Sequence, residues 1–426
     1  MFCKRQKFSF VIQKKNLMQQ IKVFGAVVLF IMTSFSLLAQ QNTDKVSQFH
    51  QQLLTLDSHT DTPLRLSRSN FDIGIRNDAR NGGGKIDFPR MKEGGLDAVF
   101  FAVFIGQGDR DEASNLKAKQ QALKIFDAID LALETYPELA SLALTSRDAE
   151  RLNKQGKLAI FIGVENGYPI GKDIQMVETL YNRGARYITL SHSYNNDICD
   201  SSTDDEGPEH GGLSPFGEEV LREMNRLGML VDVSHISDDA FFDVIKLTEQ
   251  PVIASHSNAR AVCDHPRNMT DEMLLALKEN GGVAQLCVLS SYVKTMPKNP
   301  ARDSAFAEVR QKHNSFKDLD DDQMQQAREA WYDADQQFPA ELASVADLVD
   351  HVDHIVKLIG IDYVGIGTDF DGGGALSDCY DVTEIVNITR ELLRRGYSET
   401  DIQKIWSGNF LRVFAAVEAG KQREID

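Results

Sequence analysis

Short apolar runs that stop at a histidine or a carboxylate are the feature of this chain that most restricts its fold. Six such runs occur, and several are rich in β-branched residues. A buried parallel strand reads as a continuous apolar run and presents functional side chains at its carboxyl end. The runs are Leu53–Asp61, Leu158–Glu165, Tyr187–His192, Met229–His235, Pro251–His256 and Gly360–Asp369.

The order of these runs along the chain predicts a barrel. Two further apolar runs, Leu96–Ile105 and Val283–Leu289, bring the strand-like segments to eight, and segments with helical spacing alternate with them. Eight β/α units are typical of a TIM-type (β/α)8 barrel, with a doubly wound open sheet as the alternative. The barrel is favoured because it collects the carboxyl ends of all its strands at one face. The charged segment Lys294–Glu341 is predicted to be a helical insertion before the eighth strand.

The first 39 residues are predicted to be a secretory signal. Residues 1–22 carry six Lys or Arg and no acid, Val23–Leu38 is almost wholly apolar, and Ala39 is a small residue suited to cleavage. A single membrane anchor is the alternative, but this apolar run has 16 residues, and a spanning helix needs about 20. We therefore expect an exported protein, periplasmic or secreted. Its residues 40–426 would form a single domain with no stable membrane anchor after cleavage.

Charge and cysteine spacing exclude several classes of function. The chain has 63 Asp or Glu against 46 Lys or Arg, a formal charge of −17, so nucleic acid is not an expected partner. The cysteines beyond Cys3 have no C-x-x-C spacing, which argues against a cysteine zinc site and leaves disulfide pairing open. The sequence also lacks a G-x-S-x-G elbow. The stretch Asn81–Lys85 lacks the Ser or Thr of a phosphate loop and is predicted to be a flexible surface loop.

The residues that end the apolar runs have the chemistry of metal ligands. Histidine and carboxylate together suit zinc and similar ions, and a His-x-Asp spacing puts two ligands on one side of a strand. One metal needs about three or four protein ligands, so a larger set suggests two metals that share a carboxylate and hold a hydroxide between them. The candidates are His59, Asp61, Glu165, His192, His235, His256 and Asp369.

Each candidate alone also has a purely structural interpretation. A histidine can be a satisfied barrel side chain, and Glu165 can cap a turn. Asp369–Gly372 resembles the start of a calcium loop, but Tyr380 stands where EF-hand spacing requires Glu. A metal centre is favoured because six separate strand ends carry such residues. The remaining histidines are expected in loops or on helix surfaces: His50, His210, His265, His313, His351 and His354.

Seven motifs spread over Leu54–Phe414 resemble those of the membrane (renal-type) dipeptidase family of zinc metallopeptidases. They are Asp57–Asp61, Gly163–Gly167, Thr189–His192, Val231–His235, Pro251–Ala259, Pro266–Asn268 and Gly367–Gly372. The resemblance implies a barrel of the metal-dependent hydrolase kind with two Zn²⁺ per chain. It further implies hydrolysis of the peptide bond of dipeptides, including those with a C-terminal D-residue.

The resemblance also implies a role for each site residue. It implies that His59 and Asp61 bind one zinc ion, that His235 and His256 bind the second, and that Glu165 bridges both. It also implies that Asp369 is the acid/base, that His192 stabilises the oxyanion, and that Arg267 holds the substrate carboxylate. Arginine suits the last role because its planar fork binds both oxygens of a carboxylate. Two other functions stay open, namely another amide or ester hydrolase on the same dinuclear scaffold, and a metal-free peptide-binding protein.

Three features lie outside the resemblance. Cys263 has no clear partner for a family-like disulfide, and the acidic insertion leaves the side-chain preference open. No apolar segment follows Val413, so a lipid-linked attachment is not expected. The oligomeric state is open as well, with a homodimer as the assembly considered.

Overall fold

The computed structural model describes residues 45–66, 71–316, 319 and 321–421. The chain divides into two compact units, Met1–Gln52 and Leu53–Asp426. The described part of the first unit is a short helix, α1, at 45–50, with the turn that follows it. The predicted signal at residues 1–39 lies outside the described residues. None of the helices in the described ranges has the length and hydropathy that a membrane-spanning segment needs.

The second unit is organised around one parallel sheet. Its strands, among the described residues, are β1 (Leu56–Thr60), β2 (Ala98–Phe104), β3 (Ala140–Leu142), β4 (Leu158–Glu165), β5 (Ala185–Thr189), β6 (Leu230–Asp232), β7 (Ile253–Ala254), β8 (Val283–Leu286) and β9 (Val364–Ile366). They follow one another in the order β1-β2-β4-β5-β6-β7-β8-β9, and β3 pairs with β4 outside this path. The short β3 is a strand that the sequence pattern did not predict.

The sheet closes between its first and last strands. Thr60 and Phe370 form a parallel bridge. The Asp369 N–H donates to the His59 carbonyl at 2.9 Å, and the Asp61 N–H donates to the Phe370 carbonyl at 2.8 Å. The predicted TIM-type barrel is therefore confirmed, and its carboxyl ends converge at one face.

Helices alternate with the strands, as the barrel requires. They are α2 (Pro63–Leu66), α3 (Phe88–Gly94), α4 (Glu112–Thr135), α5 (Asp148–Asn153), α6 (Gln175–Asn182), α7 (Pro215–Leu227), α8 (Asp238–Leu247), α9 (Asp271–Asn280), α10 (Ser290–Val293), α11 (Pro300–Lys312), α12 (Asp321–Gln337), α13 (Val345–Ile359), α14 (Val386–Arg394), α15 (Glu399–Gln403) and α16 (Asn409–Ala419). Helices α10, α11 and α12 lie between β8 and β9, so the predicted helical insertion is confirmed.

The ends of the connecting helices follow from their sequence. Ser214 caps α7 by accepting the Gly217 N–H, Pro215 occupies the first turn, and Gly228 ends the helix at φ 68°. Ser237 caps α8 by accepting the Ala240 N–H. A short polar side chain satisfies a free amide at each helix start, and a left-handed glycine ends a helix without steric cost. These stops place strands β6 and β7 directly after their helices.

An aromatic core closes the amino end of the barrel. The Phe100 ring stacks on Phe161 and Tyr187, with centroids 4.8 and 5.2 Å apart. Phe410 and Phe414 of α16 pack on the same cluster, at 5.1 Å from Phe100 and 5.8 Å from Phe161 respectively. Residues at the starts of most strands belong to this cluster too. Because apolar side chains fill this end, the polar residues at the carboxyl ends face the opposite, open end.

Candidate active site

The seven predicted ligand-type residues meet at the carboxyl face of the barrel. Glu165, the last residue of β4, lies at their centre. Its Oε2 is 3.5 Å from His59 Nε2, whereas its Oε1 is 3.1 Å from His235 Nε2 and 3.5 Å from His256 Nε2. His192 Nε2 is 3.6 Å from the same Oε1. The two carboxylate oxygens therefore face two different sets of histidines.

The donor atoms form overlapping groups of the size that holds a cation. Among the described residues, three groups have all their donor atoms within 4.8 Å of one another. The groups are His59 with Glu165 and His256, Glu165 with His192 and His235, and His59 with Asp61 and Asp369. Glu165 and His59 are each shared by two groups, as expected of a centre with more than one ion.

Several of these atoms lack a hydrogen-bond partner although they are buried. Among the described residues, His59 Nε2 and Asp61 Oδ1 have no such partner. His235 Nε2 and His256 Nε2 face each other at 2.8 Å, so either one of them carries a proton or a cation accepts both lone pairs. Buried polar groups are almost always satisfied in native proteins, so this pattern fits residues that bind metal ions. Imidazole and carboxylate together are the donors that zinc prefers.

Electrostatics favour the neutral form of three histidines in this centre, whereas Tyr187 and Glu165 raise the pKa of His59 despite its burial. Burial and, to a smaller extent, the nearby Arg267 lower the pKa of His192 to about 3. Burial also lowers the pKa of His235 and His256 well below the usual value, with Arg267 again contributing. A neutral imidazole keeps a lone pair for a metal ion.

Burial disfavours the ionised form of two carboxylates in this site. Burial raises the pKa of Asp369 well above its usual value, and the charge of Asp61 adds to this effect. Burial and the charge of Glu165 likewise raise the pKa of Asp61. Like charges close together in a buried site disfavour ionisation, and a bound cation would remove the penalty.

A hydrogen-bond relay orients His256. Its Nδ1 lies 2.8 Å from Ser255 Oγ, and that hydroxyl donates to Asp232 Oδ2 at 2.6 Å. Since the hydroxyl proton goes to Asp232, the Ser255 oxygen accepts the Nδ1 proton of His256. The Nε2 lone pair then points at Glu165. This kind of support fixes the tautomer of a metal-binding histidine.

His59 has a comparable support from Tyr187. The phenol oxygen of Tyr187 lies 2.8 Å from His59 Nδ1, which leaves Nε2 for the centre. Asp57, two residues before His59, is also buried and ties β1 to the end of β9. It accepts the His59 N–H at 3.1 Å and the Thr368 N–H at 2.8 Å. Burial raises the pKa of Asp57 to about 6, although its bonds to Thr368 oppose the rise.

Tyr187, Asp57 and Asp232 are site residues that the sequence interpretation missed. A signal for the two aspartates exists in the chain, since Asp57 stands two residues before His59 and Asp232 three residues before His235. Tyr187 gives no such signal because a buried aromatic residue inside a strand reads as ordinary core.

Arg267, the residue predicted to hold the substrate carboxylate, lies beside His256. It is buried, its Nη2 donates to the His256 carbonyl at 3.2 Å, and its Nη1 donates to Ser257 Oγ at 3.3 Å. Its Nε has no partner, and its guanidinium lies 5.5 Å from the ring centre of Tyr292. A buried guanidinium with an unused donor is suited to bind an anion.

His192 and Asp369 belong to different groups of donor atoms in the centre. The His192 side chain is 26% exposed, its Nδ1 lies 2.9 Å from Ser193 Oγ, and its ring packs 4.7 Å from Phe104. Asp369 is buried, and the Cys287 thiol donates to its Oδ2 at 3.7 Å. His235 and Asp369 have φ of 73° and 59°. Such left-handed residues are strained and often occur at functional sites.

Two sequence expectations outside the metal centre are wrong. His351 is buried rather than on a helix surface, and it accepts the Ala259 N–H at Nδ1 while Nε2 donates to the Val293 carbonyl. The stretch Asn81–Lys85 is not simply a surface loop, because Gly84 is buried and Lys85 is bonded to the loop after Asp369. The four cysteines within the described ranges, Cys199, Cys263, Cys287 and Cys379, are buried and form no disulfide bonds.

Known proteins are similar to this chain in sequence and in fold. The family model described as "Membrane dipeptidase (Peptidase family M19)" matches residues 43–425. "Dipeptidase tcpJ" of Claviceps purpurea (strain 20.1) is 30% identical over 371 residues, which cover 85% of this chain and 76% of that protein. "Dipeptidase 3" of Mus musculus is 32% identical over 379 residues, covering 87% of this chain and 66% of the mouse protein.

A solved structure has a similar fold. The crystal structure of the probable dipeptidase PvdM from Pseudomonas aeruginosa superposes with a TM-score of 0.77 at 29% identity, covering 89% of this chain and 99% of that one. The family match extends over nearly all the described residues, and the barrel with its converging histidines and carboxylates lies within it. This chain therefore belongs to the membrane dipeptidase family, peptidase family M19.

Proposed function

We propose that this enzyme is a dipeptidase that hydrolyses its substrates with two zinc ions bridged by Glu165. Metal-dependent hydrolysis of dipeptides is the activity of the family to which the chain belongs. The proposal of two ions depends on one observation, namely that the two carboxylate oxygens of Glu165 face different histidines. Oε2 faces His59, and Oε1 faces His235 and His256. One ion would be held by His59 and Asp61 and the other by the two remaining histidines.

The ions would supply a water of lowered pKa and polarise the substrate carbonyl. Asp369 would then do the proton transfer, first accepting the proton of the attacking water and later donating it to the leaving amine. Its carboxyl lies in the same group of donor atoms as His59 and Asp61, so it is close to where the attacking water would be held. The Cys287 thiol keeps one of its oxygens in place.

His192 would stabilise the negative oxygen that develops during attack. Its pKa is lowered to about 3 by burial, so it acts as a neutral hydrogen-bond donor. Ser193 holds Nδ1, which leaves Nε2 on the side of Glu165. A preorganised donor in a dry site contributes strongly to catalysis.

Arg267 would bind the free carboxylate of the substrate and thereby select short peptides. Its two bonds to His256 and Ser257 fix it beside a metal ligand, so the distance between the scissile carbonyl and the carboxylate is set by the protein. A longer peptide would place a further amide where this carboxylate belongs, which leaves the guanidinium unpaired at a large cost. We extend the proposal to dipeptides with a C-terminal D-residue, because the selected groups are the carbonyl and the carboxylate.

The test compares dipeptides with the corresponding dipeptide amides, with and without chelator. Arg267→Met should raise KM for dipeptides by about 10- to 100-fold and leave the slow hydrolysis of amides unchanged, since a charge-paired hydrogen bond is lost only with the former. Arg260→Met is the matched control, because Arg260 lies on the same loop but pairs with Asp238. If Arg267→Met slows both substrates equally, the enzyme is a different amide or ester hydrolase. Activity that survives complete metal removal would contradict the metal-dependent mechanism.

We also propose that the enzyme is exported. The basic segment followed by the apolar run Val23–Leu38 supports a signal that is cleaved after Ala39. Residues 40–426 would then be one enzymatic domain without a membrane anchor. Sequencing the amino terminus of the protein recovered from a bacterial periplasm or medium tests the cleavage, and light scattering of the same sample tests the proposed homodimer.

A further inference from the structure

The loop that carries Asp369, which runs from Asp369 to Gly374, has a strained backbone. Asp369 and Asp371 have φ of 59° and 68°, and Gly373 has φ of 147°. Left-handed conformations are unfavourable for residues other than glycine. A Cβ at Gly372 would lie 2.1 Å from Asp61 Oδ2 and 2.2 Å from Asp369 Oδ1, so the chain passes directly over these two carboxylates. A loop of this shape needs contacts from other segments to hold it.

The Asp371 side chain provides those contacts. It is 1% exposed and accepts three hydrogen bonds. The Thr62 hydroxyl donates to Oδ2 at 2.9 Å, Arg65 Nε donates to Oδ1 at 2.6 Å, and the Lys85 N–H donates to Oδ1 at 2.9 Å. Both oxygens are therefore engaged by donors from outside the loop.

The donors belong to two segments that are fixed relative to the site. Thr62 and Arg65 directly follow Asp61, so they are tied to a metal ligand through the backbone. Lys85 ends the Gly-rich stretch Asn81–Lys85, and its Nζ also donates to the Gly374 carbonyl at the far end of the loop. Arg65 Nη1 donates to the Gly82 carbonyl at 3.1 Å, which joins the two segments to each other.

We propose that Asp371 is a positioning residue that sets the place of the Asp369 carboxyl relative to Asp61. This inference rests on the proposed function, because it concerns the acid/base role given to Asp369. Asp371 holds no proton of the reaction. It acts through the loop, which Asp371 fastens to Thr62 and Arg65 and which Lys85 fastens to the stretch Asn81–Lys85. A misplacement of about 1 Å in a reacting group costs on the order of 100-fold in rate.

The test is Asp371→Asn, which keeps the size of the side chain but turns one acceptor oxygen into a donor. We expect kcat to fall about tenfold or more with KM within about twofold of the wild-type value. The metal content should equal that of the wild-type protein. Asp381→Asn is the matched control, since Asp381 accepts a bond from Arg90 Nη1 at 2.9 Å and lies outside the loop. That variant should retain the wild-type kcat.

A second variant covers the case in which Asp371→Asn does not fold. Arg65 is 20% exposed, and Arg65→Gln should lower kcat about threefold or more with KM unchanged. The inference is overturned if a folded, metal-loaded Asp371→Asn enzyme keeps its kcat, if KM or metal loss accounts for the decrease, or if Asp381→Asn lowers kcat equally. If the wild-type protein hydrolyses no dipeptide, the proposed function fails first and this inference falls with it.

Discussion

Exchanging Asp232 for Asn perturbs the metal centre without touching a ligand. Asp232 is fully buried, and its Oδ1 accepts the backbone N–H groups of Ser234 at 3.0 Å and Ser255 at 2.8 Å. Its Oδ2 accepts the Ser255 hydroxyl, which in turn orients His256. In Asp232→Asn the amide oxygen keeps the two backbone donors, and the NH₂ group faces the hydroxyls of Ser255 and Thr189, which both donate to Oδ2 in the wild type.

The size of the effect follows from the reversed hydrogen bond. The new NH₂ donates to Ser255 Oγ, so the serine proton turns toward His256 Nδ1 and favours the tautomer with a proton on Nε2. In this tautomer Nε2, which lies 3.5 Å from Glu165 Oε1, carries a proton and has no lone pair for a metal ion. Loss of such a supporting contact lowers metal affinity by about 10- to 100-fold, or about 1.4 to 2.7 kcal/mol. The free energy of unfolding of the metal-free protein should fall by only about 1 kcal/mol, because both backbone donors stay paired.

Competition with a chelator of known zinc affinity measures this prediction. Asp200→Asn is the control, since Asp200 accepts the backbone N–H groups of Glu209, His210 and Gly212 but supports no ligand. Zinc affinity should fall in Asp232→Asn and stay unchanged in Asp200→Asn. An Asp232→Asn enzyme with wild-type zinc affinity would refute the reasoning that the relay fixes the tautomer of His256.

Three further predictions concern other parts of the barrel. Tyr187→Phe removes the hydroxyl on His59 Nδ1 and should lower zinc affinity about tenfold, whereas the free energy of unfolding, measured in urea on the metal-free protein, should hardly change; an unaltered affinity would contradict the support role. Phe414→Ala removes a ring from the aromatic core at the amino end and should lower the free energy of unfolding by about 3–5 kcal/mol in the same assay. A decrease of less than about 1 kcal/mol would show that this core is not tightly packed. Burial raises the pKa of Asp97 from 3.8 to about 6, so the folded state binds this proton more tightly than the unfolded state. The protonated Asp97 therefore contributes fully to the free energy of unfolding below about pH 4, and this contribution, roughly 3 kcal/mol at most, is lost as pH rises through about 6. Between these pH values Asp97→Asn should lose less stability than the wild type. Parallel curves of stability against pH for the two proteins would contradict the shift.

The metal-type residues could be predicted because each ends an apolar strand. A parallel strand shows as an apolar run, and the side chain that follows it must lie at the carboxyl face. Convergence then follows from closure of the barrel, which brings Glu165 to within 3.5 Å of His59 although 106 positions separate them. The barrel class and the helical insertion follow from the same alternation.

The supporting residues could not be predicted in the same way. Tyr187 contacts His59 from 128 positions away, and Asp371 contacts Arg65 from 306 positions away. Such pairings depend on the register and curvature of the closed sheet, which no local pattern encodes. His351 was misassigned for the same reason, because its two partners are distant in sequence, Ala259 in a loop and Val293 at the end of α10. Strand β7 has only two residues although it lies within the longer apolar run Pro251–His256. The apolar runs therefore do not define the length of the hydrogen-bonded strands.

Anomalous diffraction at the zinc edge, from crystals of the purified protein, tests the dinuclear centre most directly. We predict two peaks on either side of the Glu165 carboxylate, one beside His59 and Asp61 and the other beside His235 and His256. A single peak, or peaks that Glu165 does not contact, would contradict the assignment of this residue as the bridge.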